Sequence, residues 1–354
     1  MVTRSFNLRD VGLLWSLRGQ GITLDLQRAV LQGMNPLYAA LIGVLPPQWA
    51  GTTLTFVCAD AERQGRGFVQ ALACRERREW QVIHLAPWSG EAASSADWVS
   101  ALVDLCMLAG EWGALRVRAG VFADEAEEVF RQAGFAPYAR ESVYRLPHPH
   151  ATAEAGTNMR PVAPSDAWPL VQLLGQTVPS TVQHAEGMTA SDVTVPLLAR
   201  LGISREQGYV LMRGMTLGGY LGLSRDPQGT WARILLQPGL EHEAPGMVRR
   251  LVALASPAPV LYCAVRDYQA GLRSVLEEAG FELVDSQVWL VRHTTRPAEC
   301  RRYRGRTAID KRTEPVTTPL YPVNNVMARP ALRIAREHCV YEYARRDSYA
   351  VGPH

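Results

Sequence analysis

The sequence lacks the features that define several protein classes. Its six cysteines include no C-x-x-C pair, which argues against a zinc ribbon and against a disulfide-bonded scaffold. The longest uncharged apolar stretch, NPLYAALIGVLPP, is shorter than the roughly 20 residues that span a bilayer. The first residues, MVTRSFNLRDVG, contain no apolar core of a signal peptide. We therefore expect a cytoplasmic protein with free thiols and no membrane association.

The chain also has little net charge. A formal charge of +3 over 354 residues is too small to indicate a nucleic-acid partner for the whole molecule. The excess is concentrated in residues 301–354, which carry 11 Lys/Arg against 5 Asp/Glu. Arginine and tyrosine alternate in CRRYRGRTAIDKR, a pattern that could suit RNA or DNA. A solvated basic tail is the simpler interpretation, and it makes a nucleic-acid partner an unfavoured prediction.

An internal repeat is the clearest positive signal in the sequence. VFRQAGF occupies residues 129–135, and VLEEAGF follows 146 positions later at 275–281. The openings also match, because LRDVGLLWSLRGQ aligns with PSDAWPLVQLLGQ. The alignment places Asp10 and Asp166 where the N-cap of an amphipathic helix is expected. The apolar runs WQVIHLAP and WARILLQP, each ending in proline, align between these blocks.

The matched blocks predict two copies of one α/β domain. Each copy is interpreted as one or more helices, two or three strands, a helix, a strand, a helix that closes on A-G-F, and a last strand. The polar stretch PHPHATAEAGTN marks the boundary between them. We predict a first domain over 1–147, a linker over 148–157, a second domain over 158–296, and a basic, partly irregular tail over 297–354.

This order of elements resembles the GNAT N-acetyltransferase superfamily in a tandem arrangement. The resemblance implies that each copy has a mixed, mostly antiparallel central sheet flanked by helices. It also implies an acyl-CoA cosubstrate, acetyl-CoA or a related thioester, and no metal. The acceptor would be an amine of a small molecule or peptide that the sequence does not identify, and a homodimer stays open.

The resemblance also implies where the cosubstrate would lie. In the family, a strand that here ends at Pro87 or Pro238 splays from its neighbour and pairs with the pantetheine arm. The loop that follows brings backbone amides to the pyrophosphate, beside a helix N-terminus. The second copy places Glu241 and Glu243 in this loop, and these carboxylates would repel phosphate. The first copy is therefore the predicted binder, through residues Leu85, Ala86, Gly90, Ala92, Ala93, Ser94 and Ser95.

Catalytic residues are less clearly marked. Many family members have a tyrosine four residues before the glycine of the G-F pair, but here these positions are Phe130 and Leu276. For a general base, the first copy offers His84 on the splayed strand and Glu79 just before it. An N-acyltransferase is the leading prediction. The alternative is a catalytically inactive binding or regulatory protein that keeps the fold.

Overall fold

The structure is a computed structural model of the 354-residue chain. It describes residues 2–24, 26–31, 35–43, 53–59, 65–74, 78–88, 95–122, 124–150, 157–187, 207–214 and 216–294. Residues Met1–Ala298 form one compact unit. The predicted tail over 297–354 lies outside the described residues.

The described strands form a single mixed sheet with thirteen members, most of them antiparallel. They are β1 (Val2–Ser5), β2 (Ile22–Thr23), β3 (Thr53–Ala59), β4 (Gly65–Cys74), β5 (Glu79–Ala86), β6 (Arg116–Val121), β7 (Ala136–Pro147), β8 (Met159–Pro161), β9 (Gln207–Arg213), β10 (Thr216–Asp226), β11 (Gly229–Leu236), β12 (Val260–Arg266) and β13 (Glu282–His293). Their order across the sheet is β1-β3-β4-β5-β6-β13-β7-β12-β11-β10-β9-β8, with β2 added beside β5.

Helices cover both faces of the sheet. They are α1 (Val11–Leu17), α2 (Leu26–Leu31), α3 (Pro36–Gly43), α4 (Ser95–Glu111), α5 (Asp124–Gln132), α6 (Ala167–Thr177), α7 (Ser180–Ala185), α8 (Ala244–Ala255) and α9 (Gly271–Glu278). The repeated helices α5 and α9 are followed by Gly134 and Gly280 at φ 83° and 86°, a left-handed conformation in which glycine is favoured. The α/β class is confirmed.

Four helices cover one face of the sheet. In the first half, Leu102 of α4 and Phe130 of α5 are fully buried in the same core as Val82 of β5. In the second half, Met247 of α8 and Leu276 of α9 occupy the corresponding core. In each core, two parallel strands diverge: β5 from β6 in the first half and β11 from β12 in the second.

The opposite face carries α1, α3, α6 and α7, and here α2 crosses between the halves. Leu31 of α2, a first-half residue, packs in one cluster with Trp231, Val143 and Ala264. The first half thus contributes side chains to the core of the second half.

The two halves share one sheet. β13, the last strand of the second half, lies between β6 and β7 of the first half. In turn, β7 lies between β13 and β12. Each half thus receives a neighbouring strand from the other, and residues 1–298 cluster as one unit. The boundary within 148–157 stays a prediction about the repeat.

The two predicted N-cap aspartates act differently from the expectation. Asp10 immediately precedes α1, but its side chain makes no capping bond to that helix. It instead accepts a hydrogen bond from the Asn7 amide at 2.9 Å and pairs with both terminal nitrogens of Arg4 at 2.7 and 2.6 Å. Arg160 and Asp166 repeat this bidentate pair at 2.6 and 2.7 Å. The aspartates therefore join β1 to α1 and β8 to α6.

Within the described part of the chain, every helix is too short or too polar to cross a membrane.

Candidate ligand sites where parallel strands diverge

Two parallel strand pairs separate before their strands end, once in each half. The pairing of β5 with β6 stops at Val82 and Ala119, although β5 continues to Ala86. The pairing of β11 with β12 stops at Arg233 and Ala264, although β11 continues to Leu236. Beyond each divergence, one edge of β5 or β11 loses its parallel neighbour. Such an edge can pair with a ligand that carries amide groups.

In the first half, the chain itself covers this edge. β2 pairs antiparallel with the end of β5, matching Ile22 with Leu85 and Thr23 with His84. The Leu24 amide donates to the Ile83 carbonyl at 2.8 Å, and the Trp88 amide donates to the Gln20 carbonyl at 2.7 Å. The edge that the resemblance assigns to pantetheine is therefore already paired.

In the second half, the corresponding edge is open among the described residues. The Ile234 carbonyl faces the divergence and accepts from Nε2 of Gln269 at 2.6 Å. The Gln237 amide faces the other way and donates to the Gly218 carbonyl on the β10 side. Because backbone groups alternate along a strand, the N–H and C=O of Leu236 face the divergence. No described strand pairs with Leu236 on this side, because the ladder with β12 stops at Arg233, whereas its repeat counterpart Leu85 pairs with Ile22.

The loop from β11 to α8 uses several of its own amides. Gly239, at φ 91°, donates its N–H to Oε1 of Glu241 at 2.9 Å, and this bond holds the pKa of Glu241 below its ordinary value. The Leu240 carbonyl accepts from the Glu243 amide at 2.9 Å. Arg213 lies 3.2 Å from the Glu243 carboxylate and thus offsets one of the two negative charges.

Histidine 84 is buried beneath β2. Its side chain is 3% exposed, stacks on Phe68 at 5.6 Å between ring centroids, and has Nδ1 3.4 Å from Oγ1 of Thr23. Burial lowers the pKa of His84 to about 4, so the imidazole is neutral near pH 7. None of the described residues makes a hydrogen bond to its Nε2. A neutral imidazole could accept a proton, but β2 separates it from solvent.

The other predicted base, Glu79, serves a different purpose. It is 3% exposed and lies 2.7 Å from Arg118 and 3.3 Å from Arg116. It also borders a surface cavity of about 460 Å³, which is lined on one side by Trp80 and Trp112. This cavity lies at the start of β5, away from the divergence. Five residues of strand separate Glu79 from His84, or roughly 16 Å, so the structure does not bring the two predicted bases together.

The predicted cofactor-binding residues are only partly described. Leu85 and Ala86 are fully buried in β5, and Leu85 is bonded to β2. Ser95 begins α4. The four loop positions, Gly90, Ala92, Ala93 and Ser94, lie outside the described residues and stay predictions.

A buried ionic cluster at the junction of the halves was not foreseen from the sequence. Glu186, which follows α7, lies 3.3 Å from Arg118 and 3.2 Å from Arg266. Burial alone would raise the pKa of Glu186, but the two guanidinium groups outweigh it and hold the pKa below its ordinary value. The guanidinium carbons of Arg118 and Arg266 lie over the ring of Trp289, 5.5 and 5.1 Å from its centroid. The partners are far apart in sequence, so only the strand exchange reveals the cluster.

Two tyrosines border this cluster. Tyr138 accepts from Arg118 at 3.2 Å and donates to Glu186 at 3.1 Å, and burial raises its pKa. Tyr268 lies two residues after the end of β12, and burial raises its pKa to about 12. Both phenols stay protonated at neutral pH, so they can donate hydrogen bonds but cannot act as bases. In the described part of the chain, no group of three or more His, Cys, Asp or Glu side chains is placed to hold a metal ion.

No protein-family model and no curated protein matches the chain. Solved structures are similar to it. A GCN5-related N-acetyltransferase from Sphaerobacter thermophilus is 14% identical, with 82% of this chain and 95% of that chain covered at a TM-score of 0.48. A tandem GNAT protein from the clavulanic acid biosynthesis pathway is 15% identical, with 84% and 98% covered at 0.47. A GCN5-related N-acetyltransferase from Anabaena variabilis is 14% identical, with 82% and 72% covered at 0.43. Likenesses this weak do not carry a functional argument, which rests on the sites themselves.

Proposed function

We propose that the protein is an acyl-CoA-dependent N-acyltransferase whose cosubstrate lies in the second half, at the divergence of β11 and β12. One observation carries the proposal. Leu236 presents a backbone N–H and C=O toward the divergence, on an edge where the ladder with β12 has already stopped and no other described strand pairs. The pantetheine arm is extended and contains amides, so it can pair with such an edge. The proposed site therefore differs from the sequence-based prediction, which placed the cosubstrate in the first half. There, β2 occupies the equivalent positions.

The proposed acyl transfer needs little acid or base catalysis from ionisable side chains. The acceptor amine attacks the thioester carbonyl, a C–N bond forms, the C–S bond breaks, and the amine proton passes to solvent. The thiol of the leaving group has a pKa of about 8.5, so the thiolate departs without an obligatory acid. The nearby carboxylates Glu141 and Glu186 are buried in ion pairs with lowered pKa values, which makes them poor bases. Catalysis would rest on positioning, and the amine would arrive uncharged.

A specific observation favours an inactive binding protein as the second candidate. The amide of Gly239, in the loop where pyrophosphate would lie, is bonded to the Glu241 carboxylate. A phosphate would have to displace that carboxylate and also meet the charge of Glu243. The fold could thus be kept for interaction after the loss of acyl transfer.

A pair of substitutions at Leu236 tests the proposed site. Leu236→Pro removes the N–H that faces the divergence and breaks no bond to β10, whereas Leu236→Ala shortens the side chain and keeps the N–H. In calorimetric titrations with acetyl-CoA, we expect Leu236→Pro to bind at least about fivefold more weakly than Leu236→Ala, the effect of one hydrogen bond. Equal affinities in two folded variants would contradict a binding site at Leu236 in the second half.

Thiol release separates the two candidate functions. The parent protein is incubated with acetyl-CoA and a panel of primary amines, and free CoA is measured with a thiol reagent. Amine-dependent release that falls in Leu236→Pro supports the acyltransferase. Binding of acetyl-CoA without release for any amine supports the inactive protein.

A further inference from the structure

We propose that the cavity at the start of β5 is a binding site for an aromatic carboxylate, separate from the site proposed for acyl transfer. Its volume of about 460 Å³ lies within the range of roughly 300–1,000 Å³ that is usual for small-ligand sites. The cavity is formed where Cys74 at the end of β4 pairs with Glu79 at the start of β5, beside the turn that follows α4. This inference does not depend on the proposed function.

An exposed indole ring forms one wall of the cavity. The side chain of Trp112 is 58% exposed, although its ring is packed edge to face against the buried Trp80, with 5.6 Å between ring centroids. Phe56 lies 6.3 Å away on a similar edge contact. Packing therefore fixes the orientation of the Trp112 ring and leaves more than half of the residue uncovered. Such a ring favours a planar aromatic ligand, and Leu54 and Ala73 add apolar surface beside it.

Arg78 lies at the rim of the cavity in a left-handed backbone conformation, with φ at 51°. Residues with a side chain rarely adopt this conformation, and those that do are often held at ligand sites by their surroundings. Here the Leu115 amide donates to the Arg78 carbonyl at 2.6 Å, and Nε of Arg78 donates to the Gly113 carbonyl at 3.0 Å. The side chain is thus anchored through Nε, and its terminal nitrogens are not needed for that anchoring. These nitrogens suit a carboxylate.

The charges at the cavity favour an anionic ligand over a cationic one. Glu79 also lines the cavity, but it is buried and lies 2.7 Å from Arg118 and 3.3 Å from Arg116. Its negative charge is therefore already offset, whereas Arg78 is exposed. One exposed guanidinium group matches the single negative charge of a carboxylate better than the roughly two charges of a phosphate. The ligand would place its ring against Trp112 and its carboxylate at Arg78.

Cinnamate and cinnamamide form a matched pair of probes for this site, because they share a planar ring and differ in the charge of the head group. Both are titrated into the parent protein by calorimetry. We expect cinnamate to bind at least about tenfold more tightly, the effect of a hydrogen-bonded charge pair. No binding of cinnamate at millimolar concentration, or equal affinities for the two probes, would overturn the inference.

Replacing Arg78 by glycine tests the role of the guanidinium group. Arg78→Gly removes the side chain and suits the left-handed backbone, so the variant should fold. We expect it to bind cinnamate at least about tenfold more weakly than the parent and to bind cinnamamide equally well. Arg131→Gln, which removes a positive charge from the surface of α5, is the control and should leave both affinities unchanged. Equal weakening of cinnamate binding by both variants would contradict a carboxylate contact at Arg78.

Nuclear magnetic resonance on the ¹⁵N-labelled parent protein locates the bound probe without relying on Arg78→Gly. The indole N–H signal of Trp112 should shift on addition of cinnamate. Trp168 on α6 is equally exposed, at 58%, and its signal should stay in place. Trp112→Phe and Trp168→Phe assign the two signals. An unchanged Trp112 signal at saturating cinnamate, or an equal shift of both signals, would overturn the site.

Discussion

Glu141 and Gln287 meet at the centre of the sheet, where the two repeats face each other. They are paired in register between β7 and β13 and are 146 residues apart, the same offset that separates the two A-G-F motifs. Nε2 of Gln287 donates to Oε1 of Glu141 at 2.6 Å. Two glutamates at these positions would repel each other, whereas a carboxylate and an amide make a hydrogen bond. The two copies therefore differ at this position, with glutamate in the first and glutamine in the second, because this pair forms a hydrogen bond instead of a repulsive contact.

Replacing Glu141 should destabilise the protein strongly. The carboxylate is 2% exposed and lies 2.7 Å from Arg266, so Glu141→Gln leaves a buried guanidinium with one partner fewer. We expect a loss of about 3 kcal/mol in the free energy of unfolding by urea. The control Glu282→Gln removes an exposed pair with Arg145 and should cost less than about 1 kcal/mol. Similar losses for both variants would contradict the buried-pair interpretation.

The low pKa of His84 predicts a pH dependence of stability. The unfolded chain binds this proton below pH ~6.5, whereas the folded protein binds it only near pH 4. The stabilisation from a neutral His84 is therefore complete above pH ~6.5 and is lost as pH falls toward 4, by up to about 3 kcal/mol. His84→Gln should show a shallower loss over this interval in urea unfolding at several pH values. Parallel curves for the two proteins would contradict the burial of His84.

At the scale of elements, the start of α8 should set the affinity for the diphosphate of the cosubstrate. Glu241→Gln removes a negative charge from the loop before α8, and we expect acetyl-CoA to bind about threefold more tightly at low salt. Glu91→Gln, four positions after Pro87 in the stretch that the sequence repeat aligns with this loop, serves as the matched variant and should change affinity little. Calorimetry on both variants checks this. Tightening by Glu91→Gln alone would point to the first half.

The order of elements was predictable from the sequence, but their pairing was not. WQVIHLAP and WARILLQP predicted β5 and β11, and the A-G-F motifs predicted the ends of α5 and α9, because these signals are local. The exchange of β7 and β13 depends on contacts between strands about 146 residues apart. Local sequence patterns do not show which distant strands pair with each other. The position of β2 was missed because two strand residues give no periodicity. Ion pairs such as Glu79 with Arg118 were also missed, because their partners are far apart in the sequence.

At the scale of the whole molecule, the exchanged strands should hold the halves together after the chain is cut. Limited proteolysis within 147–158, the predicted boundary, should give two fragments that co-elute in size-exclusion chromatography. They should separate only in denaturant, because β7 and β13 pair along most of their length. Fragments that separate under native conditions would contradict the shared sheet.

Residues 299–354 should be dispensable for the fold. Residues Met1–Ala298 form a compact unit by themselves, so truncation after residue 298 should leave the melting temperature within a few degrees. A drop beyond about 8 °C, more than ~1 kcal/mol for a protein of this size, would show that the tail contributes to the core.

Amide hydrogen exchange at Leu236 and Leu85 tests the central claim most directly. The two residues are repeat counterparts, and they differ in that β2 pairs with Leu85, whereas no described strand pairs with Leu236 beyond the end of the β12 ladder. Exchange is measured by mass spectrometry with and without saturating acetyl-CoA. The account predicts slower exchange at Leu236 on binding and no change at Leu85, which is protected throughout. Slower exchange at Leu85 with no change at Leu236 would place the ligand in the first half and contradict the account.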